Sequence, residues 1–313
     1  MPNWKVKAAI QGGICLFPAS QSLNYLLQRF VSKNLHIDNA KIRRKIELTS
    51  SHLESHFKYI MSDKIKSSTK TLEQLTVVEL GTGWFPIVPV LLSLAGVKKV
   101  ISVDKASLIR KNLFFEMLKA LKQFFETQSS CSIPFDLDSR RMQTLMNIDE
   151  ELSPKDALAS LNIHLLKSDA RHLAEYHKKI DLIISNNVME HIAPDILIGI
   201  MREFRKLLKS DGTMSHYIDM SDHYHGFDPK IGALNYLRYS EKAWGIYNND
   251  LQYQNRLRKS DYKKMTTDAG FRILFEDQET MDSSALHNIE VDDFFDGYSE
   301  EDLLTTGYLI VSR

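Results

Sequence analysis

The 313-residue sequence has no excess of either charge, since 40 basic residues stand against 40 acidic ones. No global field therefore draws the chain to nucleic acid or to an anionic membrane, and any basic patch has to be local. Cysteine is nearly absent. Cys15 and Cys131 stand alone without a CxxC pair, which speaks against a zinc cluster or a disulfide framework and points to a reducing compartment, the cytoplasm. No run approaches the ~20 consecutive apolar residues of a membrane helix. The opening, MPNWKVKAAIQGGICLFPAS, sets Lys5 and Lys7 before an apolar patch, but Gln11, Gly12 and Gly13 interrupt it, so no cleaved signal is expected. A glycine is missing at one telling place. In VVELGTGWFPIVPVLL, residues 77–92, a dinucleotide fingerprint would follow Gly81 and Gly83 with a third glycine at the position that Pro86 occupies.

What is present has the rhythm of an α/β protein. The length fits one α/β domain, 71–313, with an appendage of roughly 70 residues. Residues 1–70 show helical spacing at Leu23, Leu26 and Leu27 and no strand, which predicts an N-terminal helical cap. His52 and His56 stand at i and i+4, a spacing that puts two ligands on one helix face. No third ligand is evident, so they read as ordinary helix residues and no metal is expected. From residue 75 short apolar runs alternate with helical segments, the pattern of a parallel sheet. Strands are expected at TVVEL, KVISVD, NIHLLKSD, IDLIISNN, TMSHYIDM, within SDYKKMTTDAGFRILFED, and at TTGYLIVSR. Residues 128–160 read as an irregular insertion, and about 216–259 as a polar excursion after the fifth strand.

In an open parallel sheet, ligands lie beyond the carboxyl ends of the strands. Here those ends are acidic: Glu79 before the glycine turn, Asp104 at the second strand and Asp169 at the third. Asp104 follows Gly83 at the distance of a ribose-binding carboxylate, a spacing that NAD also fits. A pyrophosphate favours glycine-rich backbone at a free helix N-terminus, whereas GTGWFP places an indole, a phenyl ring and a proline there. A ligand without phosphate and with a cationic centre suits these carboxylates better.

These segments resemble the class I S-adenosylmethionine-dependent methyltransferases over about residues 75–313. VVELGTG is similar to that family's first motif, ISVDK to its second, LKSDAR to its adenine-contacting segment, and IDLIISNNVMEHI to the segment passing under the sulfonium. The resemblance implies a Rossmann-like, mostly parallel seven-stranded sheet flanked by helices, with S-adenosyl-L-methionine as cofactor. It implies that Gly81 and Gly83 line the methionine tail and that Glu79 helps position it. Asp104 would bind the ribose, Asp169 and the Ala170 backbone the adenine edge, and Asn186 would lie near the methionine and the transferred methyl.

The acceptor is expected to be a small molecule, methylated on oxygen, nitrogen or carbon. SNNVMEH lacks the Asp/Asn-Pro-Pro-aromatic pattern of exocyclic-amino methyltransferases acting on nucleic acids, and no basic, aromatic-rich tract is evident. The excursion after the fifth strand supplies His216, Asp219, Asp222, Asn255, Arg256 and Arg258 as acceptor contacts. His191 and His223 are the candidate bases, because imidazole suits proton removal near neutral pH. Arg256 or Arg258 could pair with an acceptor carboxylate or phosphate. Asp219, Asp222 and His223 could alternatively hold a divalent ion. A non-catalytic S-adenosylmethionine-binding protein and an NAD-dependent oxidoreductase are the rival readings.

Overall fold

A computed structural model describes residues 3–18, 20–31, 35–62, 71–127, 133–287 and 289–313. Cys131, the start of the 128–160 insertion and the end of the expected cap lie outside the described residues. The strands are β1 (Thr76–Leu80), β2 (Lys99–Asp104), β3 (Ile163–Lys167), β4 (Ile180–Asn186), β5 (Leu208–Asp219), β6 (Ile273–Thr280) and β7 (Thr305–Ser312). They form a seven-stranded, mostly parallel sheet in the order β3-β2-β1-β4-β5-β7-β6. Up to β5 this is the doubly wound order; β7 then stands between β5 and β6, unlike the 3-2-1-4-5-6 order of dinucleotide-binding sheets.

The chain divides into two compact units. One comprises residues up to His36, Asn187–Ile198 and His216–Ile310; the second comprises Ile37–Asn186, Gly199–Ser215 and Val311–Arg313. Helices α1 (Trp4–Cys15) and α2 (Ser20–Leu26) belong to the first unit, and α3 (Asn39–Ser62) to the second. The segment expected to be a single cap is thus shared out between the units. The cause is composition: α3 sends Ile42, Ile46 and Leu53 into the core of the second unit, while α1 gives Trp4 to an aromatic cluster in the first.

In the second unit the central strands are buried on both faces, which is why their sequences are continuous apolar runs rather than alternating ones. Val78 of β1 pairs with Ile101 of β2 on one side and Ile183 of β4 on the other. Helix α4 (Ile87–Leu94) is buried along its whole length, and α5 (Lys111–Thr127) packs Leu113, Phe114, Met117, Leu118, Leu121 and Phe124 inward at helical spacing. The expected insertion contains α6 (Ser139–Met146) and α7 (Pro154–Ser160), capped by Asp138 and Ser153. Helix α8 (Pro194–Leu207) follows β4.

The first unit has an aromatic core of Trp4, Tyr224, Tyr236, Trp244 and Phe295. The Trp4 and Tyr224 ring centroids lie 5.1 Å apart, and the Trp4 backbone N–H donates to Asp228 at 3.2 Å. Helices α9 (Glu241–Trp244) and α10 (Lys259–Asp268) bracket the segment 245–258. Among the described residues no helix is long and apolar enough to cross a membrane.

Candidate functional site

In the second unit, the carboxyl end of β1 runs directly into the turn that carries Gly81 and Gly83. Both have positive φ, 84° and 64°, a conformation side chains rarely adopt. The turn's amides are already committed: Gly81 N–H donates to the Val103 carbonyl at 2.8 Å and Gly83 N–H to Asp104 Oδ2 at 3.0 Å. Helix α4 then starts in a form that offers a phosphate few donors. Pro86 and Pro89 have no N–H to offer, and the Ile87 N–H is taken by the Phe85 carbonyl at 2.8 Å. An anion at a helix N-terminus needs free N–H donors there, and this first turn has lost most of them.

Asp104 lines a small open pocket together with Thr82, Gly83, Ser102, Leu108, Ile109 and Leu165, among others. One carboxylate oxygen also receives the Ala106 N–H at 2.9 Å. These two backbone bonds fix the carboxylate's direction and leave lone pairs for a second partner. Behind it, Glu79 is buried at 5% exposure and accepts from Ser102 Oγ at 2.5 Å, with Thr82 Oγ1 2.6 Å from the same hydroxyl. Burial raises the Glu79 pKa to about 8, against the opposing pull of the Ser102 hydrogen bond.

Asp169 follows β3, but its carboxylate is not free. Arg171 forks both oxygens, with Nη2 2.6 Å from Oδ2 and Nε 3.0 Å from Oδ1, and these bonds lower the Asp169 pKa to about 2. A ligand amino group would share Asp169 with Arg171. Ala170 beside it is buried at 5% exposure.

Asn186 ends β4, and its orientation is set from α3. His52 Nε2 donates to Asn186 Oδ1 at 2.9 Å, and His52 Nδ1 accepts from Ser215 Oγ at 2.6 Å. Because an amide oxygen only accepts, the tautomer is fixed. Burial lowers the His52 pKa to about 4, so the ring is neutral. Asn186 Nδ2 is then left buried with no hydrogen-bond partner among the described residues. An orphaned buried donor costs about 1–3 kcal/mol, which a ligand acceptor would recover. His56 has the Thr213 hydroxyl 2.7 Å from its Nδ1. The histidine pair of SHLESH therefore serves β5 and Asn186 as hydrogen-bonding residues of the interior.

In the first unit the structure sorts the acceptor-side candidates. Arg256 and Arg258 do not present their charge to a ligand, a correction to the sequence-based expectation. Arg258 has no exposed surface and donates to the Asp302 and Leu303 carbonyls at 2.9 and 3.2 Å, and also to Tyr236 Oη and the Thr305 carbonyl. Arg256, 2% exposed, binds the Tyr239 carbonyl and Glu241 at 2.5 Å each and lies over the Phe294 ring at 4.6 Å. A long side chain on a connecting segment can be drawn inward by unpaired carbonyls, and spacing does not reveal this. Asp222 is likewise structural: it accepts from Asn235 Nδ2 and Tyr224 N–H, both at 2.8 Å, and burial raises its pKa to about 6. That removes it from the alternative Asp219, Asp222 and His223 ligand set. His216 lies within β5 with no exposed surface.

His191, His223 and Asp219 remain, and the fold adds Glu190 to them. A 3-10 turn, Met189–His191, presents Glu190 and His191. Asn255 does not face a ligand; it clamps this turn, donating through Nδ2 to the Met189 and Ile192 carbonyls at 2.9 Å each and through its N–H to the Glu190 carbonyl at 2.9 Å. The His191 and His223 ring centroids lie 4.8 Å apart. Desolvation lowers the pKa of both; the charge of a neighbouring imidazolium lowers His223 further, to about 4, while Asp219 at 3.8 Å opposes. Both rings are thus neutral bases at pH 7.

No family model and no curated protein matches the chain. Solved structures do resemble it. An S-adenosylmethionine dependent methyltransferase from Mesorhizobium loti is 10% identical with a TM-score of 0.41, over 83% of this chain and 97% of that one. One from Methanosarcina mazei is 11% identical with a TM-score of 0.43, over 77% and 93%. At these identities and TM-scores the likeness carries no functional argument, and the chemistry must come from the residues described above.

Proposed function

We propose that the chain is an S-adenosylmethionine-dependent methyltransferase with a small-molecule acceptor. The observation that carries this reading is a carboxylate-bearing pocket beside a helix whose first turn has lost its phosphate-binding amides to Pro86, Pro89 and the Phe85 carbonyl. Asp104 supports it by offering charge-assisted acceptors to a ribose diol. The unsatisfied Asn186 Nδ2 suits a carboxylate or carbonyl oxygen of a methionine tail. The bound cofactor would supply an electrophilic methyl group.

This chain's residues would hold that cofactor and handle the acceptor's proton. Gly81 and Gly83 allow the backbone to approach the ligand, Glu79 provides a carboxyl behind the turn, and Asp169 with Ala170 would meet the adenine edge. His191 and His223 are neutral groups able to take a proton or donate a lone pair. Calorimetric titration with S-adenosylhomocysteine tests the reading, with NADH as the competing ligand. Binding of S-adenosylhomocysteine that is weakened by Asp104→Ala is expected. NADH binding without any response to S-adenosylhomocysteine would overturn the proposal in favour of an oxidoreductase.

A further inference from the structure

We propose that Glu190, His191 and His223 bind a divalent first-row transition-metal ion. One donor atom from each residue lies within 4.8 Å of the others. A tetrahedral zinc ion with bonds of about 2.0–2.1 Å needs its donors roughly 3.3 Å apart. Closure by up to about 1.5 Å is within the reach of small side-chain rotations on a fixed backbone.

The backbone is held for this purpose by one short segment, 253–255. The His191 Nδ1–H donates to the Tyr253 carbonyl at 2.7 Å, and since a carbonyl only accepts, the lone pair is placed on Nε2. A ring N–H given to a backbone carbonyl is the usual outer support of a metal-bound histidine. Asn255 clamps the turn carrying Glu190 and His191, and Gln254 ties down the loop carrying His223, donating from Nε2 to the Ser221 carbonyl at 2.6 Å. Both ligand-bearing loops are thus referenced to the same three residues.

The burial gradient also suits an ion with open positions. Glu190 is 1% exposed, His223 half-buried and His191 exposed, so the anionic donor lies inside and solvent reaches the other side. Three protein donors with a remaining open position is the arrangement of catalytic rather than structural sites. Asp219 adds a second negative charge, with Oδ2 3.8 Å from His223 Nε2 and Oδ1 held by the Ser221 N–H at 2.9 Å and hydroxyl at 2.6 Å. Two imidazoles favour zinc, iron, cobalt or nickel over calcium or magnesium.

The consequence for substrate class rests on the methyl-transfer reading. An ion of this kind binds and acidifies oxygen, which directs attention to acceptors with a hydroxyl or a diol.

The test uses the full chain, stripped with chelator and titrated with zinc and cobalt(II) chlorides by calorimetry and, for cobalt, by visible absorption. One equivalent of metal should bind, and Glu190→Gln or His223→Asn should weaken it by at least about 100-fold. His191→Ala, at an exposed position, should do the same and serves if the buried variants do not fold. No binding, or equal binding by the variants, would overturn the site. S-adenosylhomocysteine is titrated in parallel. Cofactor binding without metal binding defeats the site alone, whereas metal binding without cofactor binding supports the site and defeats only the methyl-transfer reading.

Discussion

Glu79→Gln removes one titrating proton from the heart of the second unit while keeping its shape. The wild-type carboxyl is buried, bonded by Ser102, and shifted from 4.5 to about 8. A raised folded-state pKa means that the group's share of stability is intact below pH 4.5 and is lost as pH rises through 8, because the unfolded chain ionises freely and the folded one does not. The shift corresponds to a ceiling of about 5 kcal/mol, of which about 3 should appear between pH 5 and pH 8. Glutamine has no proton to lose, and its oxygen still accepts from Ser102. Urea unfolding of both proteins at several pH values isolates the effect, since other groups titrate alike in each. The difference in stability, variant minus wild type, should climb with pH by about 3 kcal/mol over that interval. Parallel profiles would show that Glu79 is ionised throughout and refute the reasoning.

Asp104→Ala should weaken S-adenosylhomocysteine binding by about 2–4 kcal/mol, because two charge-assisted bonds are lost, and calorimetry reads the change directly. His52→Gln should flatten the acid side of the stability curve: a neutral buried imidazole at about 4 loses about 3 kcal/mol as pH falls from 6.5 to 4, and unfolding midpoints across that range measure it. Arg258→Met should cost about 3–5 kcal/mol in chemical denaturation, since the carbonyls of Asp302, Leu303 and Thr305 would be left buried and unpaired. Binding of a cationic cofactor beside Glu79 should release a proton near pH 7, visible as a buffer-dependent binding enthalpy.

The sheet was legible because its strands are buried on both faces and must therefore be written as apolar runs. TVVEL and KVISVD coincide with β1 and β2 in the structure, and IDLIISNN matches β4 to within its last residue. The turn was legible for a different reason: Gly81 and Gly83 adopt positive φ, and the need for glycine there is local. The placement of Asp104 and Asp169 followed from strand ends. Their partners did not, since Arg171 and the Gly83 N–H reach these carboxylates through side-chain and turn geometry that spacing does not encode.

By itself the sequence determined the alternation of strands and helices, the two-glycine turn and the acidic strand ends, all set by interactions between near neighbours in the chain. Tertiary structure alone decided which polar groups are spent. It turned Arg256, Arg258, Asp222 and Asn255 inward to serve carbonyls and a turn, and tied Asn186 to His52 across 134 residues. It also gathered Glu190, His191 and His223 into one cluster. The physical reason is that a buried polar group must find a partner wherever the fold offers one. That partner can lie anywhere along the chain.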